Sequence, residues 1–470
     1  MKETIEREVK LTAGEGFTLP ELGGEAMPTR VFVSTYHDTP DLRLARHGIT
    51  FRHRIEDGAG LWQLKLPQAD ARLELERPGP PGVVPPELVS LLPALLRGTE
   101  LVSVARLRTR REVVRAAGAE VVDDSVAVLD RQRVTRRFRE LEVELLDGDE
   151  EALRRLEQAL RRAGAGAAPF RPKLYQALDL AYPREPLAVP PGTAGPEALT
   201  LRLGEQATTL LSHDPGTRLG SEPEDLHQLR VATRRLRAYL RAARPLLRDE
   251  PSKALRAELG WLGSALGPVR DLDVLAEYFT NEIETVADEG EQAAGLLAVL
   301  ASRRSEARSV LLERLSSDRY FALLDTLAAF VAAPPLTQDS GELAPIWWRE
   351  AKRLRKEAEA LGDDPVDDAL HRVRIFVKRA RYAAELAAHE LGKGGARFVA
   401  CAKAAQDLLG THQDAVFAEA ELVGWSAREA EHAVVAARLV ERERARRAEA
   451  RAAWPEAWAE LWKAAQGARR

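Results

Sequence analysis

Residues 6 to 10 read Glu-Arg-Glu-Val-Lys, which sets Glu6, Glu8 and Lys10 at strict period two. The same spacing returns in Arg52 and Arg54, in Arg72, Glu74 and Glu76, in Arg106, Arg108 and Arg110, and in Glu140, Glu142 and Glu144, with Lys65 set in Trp-Gln-Leu-Lys-Leu. Period two places side chains on one face of a β-strand. A solvated strand face mixes signs and adds Thr, Ser and Gln, whereas each of these runs is dominated by carboxylates or by cations. If the strands close into a barrel, such faces line its interior while the apolar faces point outward. Clustered carboxylates and clustered cations in one enclosed space need a divalent ion on the former and a phosphate chain on the latter. Hard oxygen donors suit Mg²⁺ or Mn²⁺ rather than Zn²⁺. A metal of this kind polarises a phosphoryl oxygen or activates a water, and fixed cations stabilise the developing charge.

A second pattern lies far downstream. His-Gln-Leu-Arg-Val-Ala-Thr-Arg-Arg-Leu-Arg (227–237) recurs as His-Arg-Val-Arg-Ile-Phe-Val-Lys-Arg-Ala-Arg (371–381), each His being followed by cations at +3, +7, +8 and +10. On a helix the offsets 0, 3, 7 and 10 make one stripe, here His227, Arg230, Arg234 and Arg237, then His371, Arg374, Lys378 and Arg381. Leu229, Leu236 and Leu240, and Val373, Phe376 and Ala380, form the apolar backs. Leu266-Gly267 with Asp271 and Leu409-Gly410 with His412 and Asp414 follow the two copies at nearly equal distance, an internal duplication. Arginine offers forked donors to phosphate oxygens, so two facing copies make one cationic track. A neutral imidazole donates one hydrogen bond to phosphate, and protonation strengthens the contact.

These patterns need two kinds of scaffold. Residues 1–182 alternate short strand-like runs with turns, and residues 197–470 read as long helices, with repeats at about 197–330 and 340–470. Between them, 183–196 is a Pro/Gly-rich linker. Residues 151–163 have helical period with acidic residues first and read as a packing helix. Trp347, Trp348, Trp454, Trp458 and Trp462 lie among apolar neighbours at helical spacing and are expected in the core. With 470 residues, 45% hydrophobic and 30% charged, the chain suits a soluble protein of two or three domains, and a net charge of −4 makes any attraction for anions local. Cys401 alone excludes an internal disulfide and a cysteine-based metal site. The first residues lack a signal-peptide core and no run approaches the ~18 apolar residues of a membrane helix, so the expected location is cytoplasmic, in association with polyphosphate granules or free of them.

Glu6-Arg-Glu8-Val-Lys10 resembles the ExExK signature of the CYTH, or triphosphate tunnel metalloenzyme, superfamily. The likeness continues through Tyr36-His37-Asp38-Thr39, Arg52 and Arg54, Lys65, the Arg106/Arg108/Arg111 group, Glu142-Val-Glu144 and Pro-Lys173-Leu-Tyr175. It implies an eight-stranded closed antiparallel tunnel that hydrolyses short phosphate chains with Mg²⁺ or Mn²⁺. By that likeness Glu6, Glu8, Glu142 and Glu144 hold metal, and Lys10, Arg52, Arg54, Lys65, Arg106, Arg108 and Lys173 grip phosphate. Lys65 and Tyr36 assist the nucleophile. Glu74 or Glu76 and Asp124 or Asp130 add further carboxylates, the sequence not choosing within either pair; Glu76 and Asp124 stand as working members. His37 replaces the second Tyr that often precedes Asp-Thr in this family.

Residues 197–470 resemble the CHAD domain through the two His-x-x-Arg-x-x-x-Arg/Lys-Arg-x-Arg helices and the two Leu-Gly-x-x-x-Asp turns. That likeness implies two pseudo-symmetric four-helix bundles binding inorganic polyphosphate through His227, Arg230, Arg234, Arg237, His371, Arg374, Lys378, Arg381 and His412. The fold expected is thus α+β, a β-tunnel with helices followed by an all-α domain. The expected activity is hydrolysis of inorganic triphosphate or short-chain polyphosphate. The alternative is a non-catalytic polyphosphate-binding or granule-targeting protein. Nucleic acid is not an expected partner, because no aromatics interleave with the arginine stripes.

Overall fold

The structure, a computed structural model, describes residues 1–14, 16–68, 71–167, 171–183, 193–284, 290–337, 341–428 and 432–469. The chain divides into two compact units, Met1–Glu185 and Pro186–Arg470. Residues 184–192 of the expected linker lie outside the described residues.

The first unit is built on one antiparallel sheet of eleven strands: β1 (Lys2–Glu6), β2 (Glu8–Thr12), β3 (Glu25–Ala26), β4 (Arg30–Asp38), β5 (Thr50–Glu56), β6 (Ala59–Gln68), β7 (Ala71–Pro78), β8 (Val102–Ala116), β9 (Ala119–Asp130), β10 (Arg133–Leu145) and β11 (Gly166–Ala167). Their order is β1-β7-β6-β5-β4-β8-β9-β10-β2-β11, with β3 on β8. Neither the expected strand count of eight nor the expected closure is found, since the sheet is not closed. The excess comes from the two-residue strands β3 and β11 and from a break at Arg7. What reads in sequence as one strand is two, β1 pairing with β7 and β2 with β10.

Five helices accompany the sheet: α1 (Arg43–Arg46), α2 (Pro86–Val89), α3 (Pro93–Leu96), α4 (Glu150–Arg162) and α5 (Lys173–Leu178). Helix α4 starts at Asp149, whose carboxylate accepts from the Ala152 amide at 2.7 Å. Its Leu153, Leu156 and Leu160 pack with Leu11, Val121, Leu141 and Val143, the outward parity of β2, β9 and β10. Apolar residues on one parity bury against the helix, and the other parity of those strands is left for charge.

The second unit consists of helices α6 (Gly195–Leu219), α7 (Pro223–Ala242), α8 (Asp249–Glu284), α9 (Gly290–Leu315), α10 (Asp318–Ala332), α11 (Ala344–Glu359), α12 (Asp367–Leu386), α13 (Ala388–Ser426) and α14 (Ala433–Ala468), with a 3-10 turn at Arg244–Leu246. Helices α6 to α10 pack in chain order on one another, as do α11 to α14, and α7 packs on α12. The two His-bearing helices are therefore neighbours. The glutamate Glu390 accepts from both the Gly195 and Ala344 amides, at 3.0 and 2.7 Å, satisfying the starts of α6 and α11 together. Of the expected core tryptophans, Trp347 and Trp454 are buried. Trp348, Trp462 and Trp458 are instead half-buried and stack in sequence, at 5.8 Å between centroids in each pair.

Candidate functional site

Register across the first unit assembles the charged parity into rows. Tyr36, Arg52, Gln63, Glu76 and Lys2 are successive cross-strand partners on β4, β5, β6, β7 and β1. Thr50, Lys65, Glu74 and Thr4 form a second row, and Arg111, Asp124 and Glu140 a third. Lys10 pairs with Glu142 and Glu8 with Glu144 across β2 and β10. Cross-strand partners share a face, so these rows surround one cavity of about 350 Å³. Its lining includes Glu6, Glu8, Lys10, Tyr36, Arg52, Arg54, Lys65, Glu76, Glu142, Glu144 and Lys173, each named from sequence.

Its carboxylates divide into two groups. Oxygens of Glu6, Glu8 and Glu144 all lie within 4.8 Å of one another. Glu142 belongs to an ammonium cluster instead: Lys10 donates to it and, at 2.8 Å, to Glu140, while Lys173 reaches Glu140, Glu142 and Asp124 at 2.9, 2.8 and 3.0 Å. Asp124, fully buried, also takes a bidentate pair from Arg111 at 2.9 and 2.7 Å. Glu76 accepts from Gln63 at 2.7 Å and lies 3.7 Å from Lys2. Of the six carboxylates expected to hold metal, the structure thus gathers Glu6, Glu8 and Glu144. Glu142 and Asp124 go to buried cations, and Glu76 goes to a different row.

Electrostatics sets Glu144 apart from Glu142, its neighbour on β10. Burial pushes the Glu142 carboxyl up, but Lys10 and Lys173 outweigh it and hold it well below the usual range. Burial, opposed by Lys10 and Lys173, leaves Glu140 at about 7. Glu144 is pushed up to about 8 by burial and by the charge of Glu142, because Arg111 reaches it only at 3.7 Å. A carboxylate that holds protons so tightly is short of positive charge. Three all-oxygen donors, one of them under-neutralised, fit a hard divalent cation.

The cations grip from the opposite rows. Lys65 donates to both oxygens of Glu6 at 2.6 Å and lies 3.3 Å from Glu74. Arg52 donates to Gln63 at 2.8 Å and to the Tyr36 hydroxyl at 3.2 Å. Arg54 lies over the Phe32 ring at 3.7 Å, and burial together with Arg52 lowers it to about 10. Arg106 and Arg108, expected to join them, are exposed on the other face of β8 and do not line the cavity. The inward parity there is Leu107, Thr109, Arg111 and Val113, so Arg111 occupies the place. The apolar partners of Arg111 at i−4 and i+2 were the readable signal. Arg72 of the period-two run lines the cavity too, as do Gln63 and Arg30, which were not singled out from sequence.

In the second unit, Arg230 and Arg234 of α7 face Arg374 and Lys378 of α12, and His227 lies beside Arg270 of α8. The charges of Arg230 and Arg234 are felt at both Arg374 and Lys378, and Arg270 of α8 at His227. Burial, then Arg374, Arg234 and Arg230, lowers Lys378 to about 7. Asp271 pairs with Arg230 at 3.0 Å. The glycines of the Leu-Gly turns make room: a Cβ at Gly410 would stand 3.2 Å from the Arg374 guanidinium, and one at Gly267 4.0 Å from that of Arg230.

The other four residues expected to bind polyphosphate take different partners. Arg237 lies along Gly260 and Gly263 of α8. Arg381 is buried, 3.4 Å from Glu385. His412 is buried with Nε2 at 3.1 Å from Asp367. His371 meets Gln413 through Nδ1 at 2.6 Å.

Comparison with known proteins locates both units. The CYTH domain family matches residues 2–168 and the CHAD domain family residues 201–423. Two strains of Mycobacterium tuberculosis carry proteins named only as uncharacterized, Rv2226 and MT2285. Each is 32% identical over 435 residues, spanning 85% of this chain and 83% of the relative. Among solved structures, PptA from Streptomyces chartreusis is 25% identical over 57% of this chain and 100% of its own, with a TM-score of 0.49. A CHAD domain from the plant Ricinus communis is 29% identical over 63% of this chain and 97% of its own, also with a TM-score of 0.49.

Proposed function

Because the chain belongs to the proteins in which a CYTH domain precedes a CHAD domain, we propose that it hydrolyses inorganic triphosphate or short-chain polyphosphate in its first unit and binds longer polyphosphate on its second. One observation carries the reading: Glu6, Glu8 and Glu144 converge on the wall of a cavity that Lys10, Arg52, Arg54, Lys65, Arg111 and Lys173 also line. Fixed negative charge beside an anion site weakens anion binding unless a cation intervenes, so this carboxylate set favours a metal-dependent enzyme over a simple anion binder.

Glu6, Glu8 and Glu144 would hold Mg²⁺ or Mn²⁺, and such an ion supplies charge neutralisation at the phosphoryl oxygens and acidifies a water. The chain's own residues supply the rest. Arg52, Arg54 and Arg111 present forked donors to non-bridging oxygens and orient the chain in line for attack. Lys65 can exchange Glu6 for a phosphate oxygen while Glu74 keeps its ammonium in place. Lys10 and Lys173 are fixed by Glu140, Glu142 and Asp124, so their charge is preorganised and costs no rearrangement as charge develops. Tyr36, held by Arg52, orients the attacking oxygen. In the second unit, Arg230, Arg234, Arg374 and Lys378 form a track for phosphate oxygens, backed by two pseudo-symmetric helical halves.

Phosphate release from tripolyphosphate with Mg²⁺ tests the activity. The wild-type chain is expected to turn over, and Glu6→Gln/Glu144→Gln is expected to lose hydrolysis while retaining long-chain polyphosphate binding. Binding of both anions without turnover by the wild type would leave the non-catalytic alternative standing.

A further inference from the structure

The charged parity of β5 runs Thr50, Arg52, Arg54 and Glu56. Thr50 stands opposite Lys65 and Glu56 opposite Phe32, with Arg52 and Arg54 between. Arg30 begins β4 two residues beyond Phe32, at the same end as Glu56. Lys65, Arg52, Arg54 and Arg30, which all line the cavity, therefore follow one another along it. Side-chain exposure is 10% at Arg54 and 41% at Arg30, so the row opens to solvent at Arg30.

Glu56 holds that end. Its Oε1 accepts from Arg30 Nε at 2.5 Å and its Oε2 from Arg30 Nη2 at 3.1 Å, and Oε2 accepts from Arg54 Nη2 as well. The hydrogen bonds from Arg30, with the charges of Arg54 and Arg30, outweigh partial burial and keep its carboxyl below the usual range, so it stays ionised. The other charges felt at Arg30 are Arg111, of like sign, and Glu120, which already pairs with Arg115 at 2.8 Å. Arg54 gives Glu56 one nitrogen. Arg30 gives its whole Nε–Nη2 edge, the edge by which a guanidinium takes a carboxylate or a phosphate in two parallel bonds.

This arrangement bears on the length of chain the cavity accepts. An ion pair as exposed as Arg30 and Glu56 adds little to stability, so its weight falls on what it does to an incoming anion. A phosphate chain held by Lys65, Arg52 and Arg54 directs its next unit toward Arg30. There the fork is already taken. A longer chain must break the Arg30 pair and then sit beside the carboxylate it displaced, which sets two like charges together.

We propose that Glu56 is a chain-length stop: by occupying the fork of Arg30 at the open end of the cation row, it makes the cavity take triphosphate in preference to linear chains with further phosphates. The proposal rests on the cavity being a phosphate-chain site and narrows the substrate of that site. Glu56 contacts neither the carboxylate group Glu6, Glu8 and Glu144 nor Lys65, so its removal changes the end of the row and leaves the reacting end as it is.

Initial phosphate release by the full chain with Mg²⁺, from tripolyphosphate and from linear tetrapolyphosphate, gives the ratio of the two kcat/KM values. Wild type is expected to favour tripolyphosphate by about tenfold. Glu56→Gln should bring the ratio close to one by raising tetrapolyphosphate. Arg30→Ala/Glu56→Gln should restore the preference, because the gain needs the freed fork of Arg30; a merely structural pair predicts no such dependence. The ratio does not depend on the fraction of molecules folded, so a poorly folding variant still reports it. An unchanged ratio in Glu56→Gln, or a gain that survives the loss of Arg30, overturns the assignment. Should the wild type turn over neither chain, the hydrolase reading fails by itself. Protection of the Thr50–Glu56 amides from deuterium exchange then reports the same preference, and equal protection by the two chains in the wild type overturns the stop.

Discussion

Arg108 and Arg111 sit on the same strand, three residues apart, with opposite prospects. Arg108 is exposed on the outer face, whereas Arg111 holds Asp124 and reaches Glu142 at 3.3 Å. Arg108→Ala should leave triphosphate turnover within twofold of wild type. Arg111→Ala should lower kcat by about 10²–10³, the usual loss for one preorganised charge donor, as steady-state phosphate release will measure. Glu142 has a different role from the one its spacing suggests. Glu142→Gln leaves Lys10 and Lys173 under-neutralised, and removing one partner of a buried ion pair costs about 3–5 kcal/mol. Chemical denaturation should therefore show a clear drop in midpoint, independent of added metal. These contrasts also mark the limit of what the sequence discloses about the site. Period two put Glu6, Glu8, Glu142 and Glu144 on the cavity wall, but it could not say which parity of β8 faces inward, because Arg occupies both. Nor could it tell a carboxylate with two ammonium partners from one with a weak partner, since that depends on registry between strands distant in the chain.

At the scale of elements, the stripe on α7 and α12 is only partly a binding face. Helical period placed His227, Arg230, Arg234, Arg374 and Lys378 together, and Arg230 and Arg234 stand near Arg374 and Lys378 across the packed pair. Arg381 and His412 share the pattern but turn to carboxylates of their own unit, a choice made by helix crossing rather than by spacing. Lys378 gives the track a pH dependence. Its pKa falls from an ordinary 10.5 to about 7, so between those values the unfolded chain holds the extra proton. The contribution of this group to stability hence rises with pH across that window. Anion binding has the opposite sign, because phosphate prefers the ammonium. Polyphosphate affinity should decline as pH rises through about 7, and Lys378→Arg, always charged, should flatten that decline; titration at pH 6, 7 and 8 checks both. The α4 N-cap gives a purely structural control: Asp149→Ala should cost about 1 kcal/mol of first-unit stability with no change in kcat.

For the whole molecule, each unit carries its own apolar core. In the first, Leu11, Leu141 and Leu160 belong to one cluster; in the second, Phe279, Leu422 and Trp425 belong to another. Scanning calorimetry should resolve two transitions, and saturating polyphosphate should raise the one belonging to Pro186–Arg470. The change from strand-like to helical patterning marked this partition in the sequence, because a period of two and a period of 3.6 demand different layers to bury against. Strand count was not readable, since β3 and β11 are only two residues long and Arg7 interrupts pairing without any Gly or Pro to announce it.

That interruption has a mechanical consequence. Glu6 ends the strand stitched to β7, and Glu8 begins the one stitched to β10, so the two flanks of the sheet come together at adjacent carboxylates. An ion clasped by Glu6, Glu8 and Glu144 would act as a rivet through that seam. Amides of β1 and β2 would then exchange with deuterium more slowly when Mn²⁺ is present, making the sheet most rigid at the moment it is loaded.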